Sequence, residues 1–200
     1  MELPPAGPKH VLVIAGPTGS GESTITNRII AQYPNSFTRL VTATSRPPRG
    51  TETNGVDYYF FTEDEFLEHE RAGDMLETTY IPNRGIHYGT YGPDLAAKLA
   101  SGRIVIVNPD IVGARFYKTR YGATTLFIAP RSIDELRARL QKRNPDMTEQ
   151  ELQHRIENAT RELSDERSFY DHVIVNGDGA LDAAIEETLR ILRGEGYSFD

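Results

Sequence analysis

The segment Gly16-Pro-Thr-Gly-Ser-Gly-Glu-Ser23 meets every fixed position but one of the phosphate-cradling pattern G-x-x-x-x-G-K-[ST]. Glycines at these spacings let backbone N–H groups turn inward around phosphate oxygens. A helix opening directly after them adds a favourable dipole. Gly16, Pro17, Thr18, Gly19, Ser20, Gly21, Glu22, Ser23 and Thr24 are therefore candidate triphosphate-binding residues, with the Ser23 hydroxyl placed for Mg²⁺. The exception is Glu22, which stands where the pattern requires lysine. That lysine neutralises the β- and γ-phosphates during transfer. A unit charge at ~4 Å is worth on the order of 4 kcal/mol at an effective dielectric near 20, and glutamate for lysine reverses the sign. Protonation relieves the penalty, because a glutamate beside phosphates titrates upward. Lys9 offers no substitute, since it lies at the far end of the first strand, roughly 20 Å away. The expectation is weak triphosphate affinity and a rate lowered by several orders of magnitude.

A second set of residues suits a phosphate monoester. Arg46 and Arg49 are two guanidinium forks three residues apart, in a stretch running from Thr42 to Tyr58. Arg139 and Arg143 are four apart and so face one side of a helix.

These residues need elements to hold them. His10–Ala15, Ile104–Asn108, Thr125–Ile128 and Val173–Val175 are short apolar runs that read as buried parallel strands. Helices are expected from Ser23 to Gln32, stopped by Pro34, from Ser132 to about Lys142, from Thr148 to about Arg167, and from Ala180 to Arg193, ended by Gly194. Ser132/Glu135, Thr148/Glu151 and Thr62/Glu65 have the spacing of capping boxes. Alternating strands and helices imply a doubly wound α/β parallel sheet, whose ligands bind at the carboxyl ends of the strands. From about Thr38 to Tyr91 the alternation breaks, which predicts an inserted mixed-β lobe, and Arg143–Thr148 reads as a lid tip. The expected organisation is a tail over 1–9, one domain over 10–200 with its core in 10–37 and 92–200, the lobe over about 38–91, and a small helical lid over about 139–155.

Composition narrows the class. The chain has 200 residues and a net charge of −7, which disfavours a nucleic-acid polymer as partner. It contains no cysteine, so disulfides, thiolate metal sites and a cysteine nucleophile are excluded. No apolar run is long enough to span a membrane and no signal segment opens the chain, so the default expectation is a cytoplasmic protein.

The stretch Thr42-Ala-Thr-Ser-Arg46-Pro-Pro-Arg49-Gly-Thr-Glu52-Thr-Asn-Gly55-Val-Asp57-Tyr58 resembles the acceptor-recognition segment of guanylate kinases, T-R-x-P-R-x-x-E-x-x-G-x-D-Y. Glu77, Tyr88-Gly-Thr90, Asn108-Pro-Asp110, Phe127-Ile-Ala-Pro130, Arg139, Arg143, Arg155 and the strand ending in Asn176 follow in the order of that family, so the resemblance runs from about His10 to Leu192. It implies Mg²⁺-dependent transfer of phosphate from ATP to GMP or dGMP, by a monomer or homodimer. It further implies that Arg46, Arg49, Tyr58 and Tyr88 bind the acceptor phosphate and that Glu52 and Asn108 belong to the GMP-binding set. Glu77 would accept from the guanine N1 and amino groups, with Thr42 and Thr90 touching the base. Arg46, Arg139, Arg143, Arg155 and Asp110 would act in transfer, Asp110 organising metal-bound water with the Ser23-held ion. Asn108 departs from the family's usual aspartate at the acceptor site. Two alternatives stand beside the enzyme: a GMP binder disabled by Glu22 and Asn108, and a phosphopeptide-binding module, disfavoured by the retained Gly16, Gly19 and Gly21.

Overall fold

The computed structural model describes residues 9–82 and 84–200. Residues 1–8 of the expected tail lie outside the described residues. Lys9 is held: its Nζ donates to Glu195 at 2.8 Å and to Thr124 at 2.9 Å.

Strand β1 (Val11–Ala15) is buried along its whole length. It pairs in parallel with β7 (Ile104–Val107) on one side and β8 (Thr124–Ala129) on the other. β9 (His172–Val175) extends the sheet beyond β8, and β2 (Phe37–Arg39) extends it beyond β7. The order is β2-β7-β1-β8-β9, all parallel. Both faces are covered, so apolar residues need not alternate with polar ones. Leu12, Ile14, Ile104, Ile106 and Phe37 pack toward α1 (Glu22–Gln32) and α7 (Leu181–Gly194). Val11, Val13, Val105 and Val107 pack toward α3 (Gly92–Ala100) and α4 (Ile111–Tyr121).

The four expected core strands are present. The fifth, β2, takes Thr38 and Arg39 out of the predicted lobe and into the core sheet. Three residues ending in arginine carry too little periodicity to announce a strand. The lobe itself is a four-stranded mixed sheet, ordered β4 (Tyr59–Phe60), β3 (Ala43–Thr44), β6 (Ile86–Tyr91), β5 (Met75–Ile81). Helix α2 (Glu63–Ala72) opens on a complete Thr62/Glu65 capping box and buries Phe66 against Ala43 and Met75.

The lid is a helical pair, α5 (Ile133–Arg143) and α6 (Glu149–Arg161), joined by a core of Leu136, Leu140, Leu152 and Ile156. Its two expected capping boxes form by half. Ser132 and Thr148 accept from the Glu135 and Glu151 amides, each at 3.2 Å. The glutamates are drawn away, Glu135 toward Arg131 and Arg139, Glu151 to Arg155. The helix expected to reach Arg167 stops at Arg161 and continues as a π-helical turn over Glu162–Glu166 and a 3₁₀ turn over Arg167–Phe169. π turns inside helices recur at functional sites. Gly194 remains inside α7, and the left-handed glycine after it is Gly196, at φ 86°.

Candidate active site

Three clefts meet at the carboxyl ends of β1 and β7. The first, about 230 Å³, lies between the lobe sheet and the β7–α4 junction, and is lined by Thr42, Tyr58, Glu77, Thr79, Tyr88, Thr90, Asn108, Asp110 and Tyr117 among others. The second, about 490 Å³, lies between the loop from Gly16 to Ser23, the lid and the turn after β9. Thr18, Gly19, Gly21, Glu22, Ser23, Thr24, Arg139, Arg143, Asn176 and Asp178 line it. The third, about 260 Å³, sits between them, bordered by Gly16, Glu22, Asn108, Asp110, Glu162, Glu166 and Tyr170. Asn108 and Asp110 belong to the first and third clefts, and Glu22 to the second and third.

The first cleft has one polar wall. Thr90 Oγ1 donates to Glu77 Oε1 at 2.7 Å. Thr90 has a single hydroxyl proton, so the 2.5 Å contact between Thr90 Oγ1 and the Tyr117 hydroxyl has Tyr117 as donor. The chain Tyr117–Thr90–Glu77 thereby fixes one carboxylate oxygen. Burial raises the Glu77 pKa above the ordinary carboxylate range, Thr90 opposes the rise, and the Asp110 charge adds to it.

Beside this wall Arg46 is buried at 5% exposure. Its terminal nitrogens donate to Glu52 at 2.6 and 2.8 Å, and its guanidinium lies 4.9 Å from the centre of the Tyr58 ring. Tyr58 in turn meets Tyr88 edge-on at 6.1 Å. Glu52 also accepts from the Arg49 amide at 2.7 Å, and these bonds hold its pKa down to about 2. Glu52 is thus occupied in aiming Arg46. Arg46 Nε remains buried with no partner among the described residues. The Arg49 side chain is exposed.

In the second cleft the loop takes left-handed backbone at Gly19 (φ 95°) and Gly21 (φ 102°). A Cβ at Gly21 would collide with Asn176 Nδ2, which donates to Ser20 O at 2.7 Å and ties the loop to the end of β9. Pro17 and Ser20 are buried beneath the loop, whereas Ser23 and Thr24 stand exposed at the start of α1. Such a backbone fits phosphate, and the two hydroxyls fit a phosphate-bound cation. Glu22 does not fit phosphate while ionised. Burial first, and then the Glu162 charge, push its pKa up to about 8, with Arg39 pulling the other way. Glu162 itself is raised to about 7 by burial and by Glu166.

Arg139 lines the same cleft but is engaged, donating to Asp178 at 2.7 Å and to Asn176 O at 2.9 Å. Arg143 lines it exposed. Arg155 lines none of the three clefts and pairs with Glu151 on its own helix at 2.6 Å. Asp110 caps α4, accepting from the Gly113 amide at 2.9 Å, and its other oxygen lies 3.4 Å from Thr79 Oγ1. Asn108 Nδ2 donates to Ile14 O at 2.9 Å and to Thr26 Oγ1 at 3.1 Å, while its Oδ1 has no partner among the described residues.

The sequence profile of the family described as guanylate kinase matches residues 8–195. The chain belongs to the guanylate kinase family. It is 40% identical over 189 residues to the guanylate kinase of Bacteroides fragilis (strain ATCC 25285), covering 94% of this chain and 90% of that one. Similarity to the guanylate kinase of Wolbachia sp. subsp. Brugia malayi is 39% over 187 residues, with 92% of each chain covered. The crystal structure of guanylate kinase from Anaplasma phagocytophilum superposes with a TM-score of 0.71 at 25% identity, covering 96% of this chain and 89% of that one. The parallel core with its separate mixed sheet is therefore the architecture of guanylate kinases.

Tyr117, Thr79, Glu162, Glu166, Tyr170 and Asp178 join the site without having been singled out from the sequence. The 27-residue separation of Tyr117 and Thr90 leaves no local pattern that could pair them.

Proposed function

We propose that this chain transfers the terminal phosphate of ATP to GMP or dGMP, giving ADP and GDP or dGDP. The observation that carries the reading is the acceptor cleft. It offers one raised carboxylate, Glu77, held by Thr90, and the buried Arg46 guanidinium packs against the Tyr58 ring that lines it. A guanine presents two adjacent donors, N1–H and the 2-amino group, to one carboxylate. An adenine presents an acceptor at N1 and would leave Glu77 unmatched, which is costly in a desolvated site. Arg46, Arg49, Tyr58 and Tyr88 receive the acceptor phosphate in this reading, with Glu52 holding Arg46 in aim. The second cleft takes the donor, with Arg139 and Arg143 closing from the lid. Ser23 would hold Mg²⁺, which would supply positive charge against the donor phosphates. Arg155 acts only after its helix moves toward the loop, because it faces Glu151 as it stands.

The protein's contribution is alignment and charge neutralisation, without a covalent intermediate. Glu22 makes this member a slow one. Its carboxyl, neutral up to about pH 8, spares the donor phosphates full repulsion but supplies no positive charge. The second reading, a GMP binder with little transfer, rests on Glu22 and Asn108 together. Working conditions are those of the cytoplasm. Among the described residues no helix is long and apolar enough to cross a membrane.

Coupled ADP production with ATP and Mg²⁺, run with GMP and then with AMP as acceptor, tests the reading. Turnover with GMP at least about 100-fold above that with AMP is expected. Equal rates with both acceptors would rule out guanine selection, and tight GMP binding with no transfer at any enzyme concentration would rule out the enzyme and leave the binder.

A further inference from the structure

Arg39 ends β2, where its residue pairs with Ile106 of β7. Side chains two apart on a strand share a face. Phe37 packs on the α1 face of the sheet with Ile14, Ile25 and Ile106, so Arg39 points to that face as well, one step closer to the carboxyl edge. Asn108, two residues beyond Ile106, emerges on the same face and reaches Thr26 of α1. The end of β2 therefore converges with Asn108 and the first turn of α1, which opens on Glu22.

Arg39 is half-buried, yet it forms no ion pair and no side-chain hydrogen bond among the described residues. Of the site arginines, Arg46 is taken by Glu52, Arg139 by Asp178 and Arg155 by Glu151, whereas Arg49 and Arg143 share with Arg39 the lack of an ion pair among the described residues. The Arg39 charge acts on two groups that belong to different clefts, Glu22 of the loop and Tyr58 of the acceptor pocket, lowering the pKa of each against the effect of burial. Arg39 lines none of the three clefts as it stands, but the end of β2 places it within reach of the junction between the loop and the acceptor cleft.

We propose that Arg39 is the phosphate-binding cation of this site, its guanidinium meeting the outermost donor phosphate between loop and acceptor cleft, in the place left by the lysine that Glu22 replaces. The assignment rests on the phosphotransfer reading for its purpose, though not for its test. A planar fork on a partly packed stem is suited to bridging phosphate oxygens. Arriving from the neighbouring strand instead of the loop, it neutralises charge from the side of the acceptor.

The test is calorimetric, with inorganic tripolyphosphate and GMP titrated separately into the wild type, Arg39→Gln, Arg39→Lys and the double variant Arg39→Gln/Glu22→Lys. Arg39→Gln is expected to weaken tripolyphosphate about tenfold while leaving GMP affinity within about twofold, since the lost bond is charge-assisted and lies on the donor side. Arg39→Lys should retain part of the affinity, and the double variant should restore it by returning the cation to the loop. Unchanged tripolyphosphate affinity in a folded Arg39→Gln, or no measurable tripolyphosphate binding by the wild type, would overturn the assignment. If Arg39→Gln does not fold, Arg39→Lys decides: affinity equal to wild type in every salt concentration would show that only charge at a distance is involved and remove the bidentate contact. Arg39-dependent tripolyphosphate binding in a protein that ignores GMP would sink the acceptor reading and leave Arg39 standing.

Discussion

Thr90 Oγ1 sits 2.7 Å from Glu77 Oε1 with the Tyr117 hydroxyl 2.5 Å behind it, so the orientation of the carboxylate in the acceptor cleft is set by a tyrosine of helix α4. Removing that hydroxyl should loosen the guanine contact without touching it. Tyr117→Phe is expected to weaken GMP about five- to tenfold, the equivalent of one buried hydrogen bond. Calorimetry reads it directly. An unchanged GMP affinity would mean that Glu77 does not depend on its support.

Glu52 holds Arg46 by both terminal nitrogens. In Glu52→Gln the fork keeps a neutral partner with one acceptor oxygen instead of two, and the guanidinium gains rotational freedom. GMP should bind about ten- to a hundredfold more weakly, because a bidentate charge-assisted pair has been broken in a buried setting. Guanosine, which has no phosphate, should bind equally to both forms. If guanosine weakened as much as GMP, Glu52 would be a base contact instead.

Glu22 and Glu162 face one another across the middle cleft with pKa values raised to about 8 and about 7. In the unfolded chain both ionise near 4.5. Between pH 4.5 and 8 the unfolded state has released protons that the fold still binds, so stability declines as pH rises through that window and levels off above it. The penalty is absent below 4.5, where both states are protonated. Its size is on the order of 1–3 kcal/mol after allowing for solvent at the cleft. Thermal melts of wild type and Glu22→Gln from pH 5 to 9 should diverge as pH rises, with the variant more stable at pH 8. A wild type more stable at pH 8 than at pH 5, at equal salt, would contradict this.

Glu22→Lys should raise turnover with ATP and GMP by at least about 100-fold, since a loop cation acts on charge that develops during transfer. Asn108→Asp should act in the opposite sense on the fold. The amide donates to Ile14 O, and a carboxylate there would face a carbonyl oxygen. A loss of about 1–3 kcal/mol in denaturant titration is expected, relieved at low pH where the acid can donate. A neutral or stabilising Asn108→Asp would show that the amide bond to β1 is dispensable.

The sequence made the loop and the acceptor segment legible because their chemistry is local. Gly19 and Gly21 must be glycine for backbone reasons that operate within a few residues, and Arg46, Arg49 and Glu52 meet within one turn of chain. The buried strands were legible for the same reason, as short apolar runs. What escaped is what the topology brings together. Tyr117 reaches Thr90 only because α4 crosses behind the lobe sheet, and Glu162 reaches Glu22 only because a π turn redirects the end of α6. β2 went unseen because three residues cannot display a period, and with it went Arg39. The pairing of Glu52 with Arg46 was not legible either, because it depends on side-chain direction.

The central claim is that the acceptor cleft selects a guanine nucleotide by its base edge and its phosphate. Isothermal titration of GMP and AMP into the nucleotide-free protein measures it without involving Glu22 or transfer chemistry. GMP should bind at least about 100-fold more tightly than AMP, with the difference abolished in Glu77→Ala. Equal affinities for the two nucleotides, or a preference that survives in Glu77→Ala, would contradict the account.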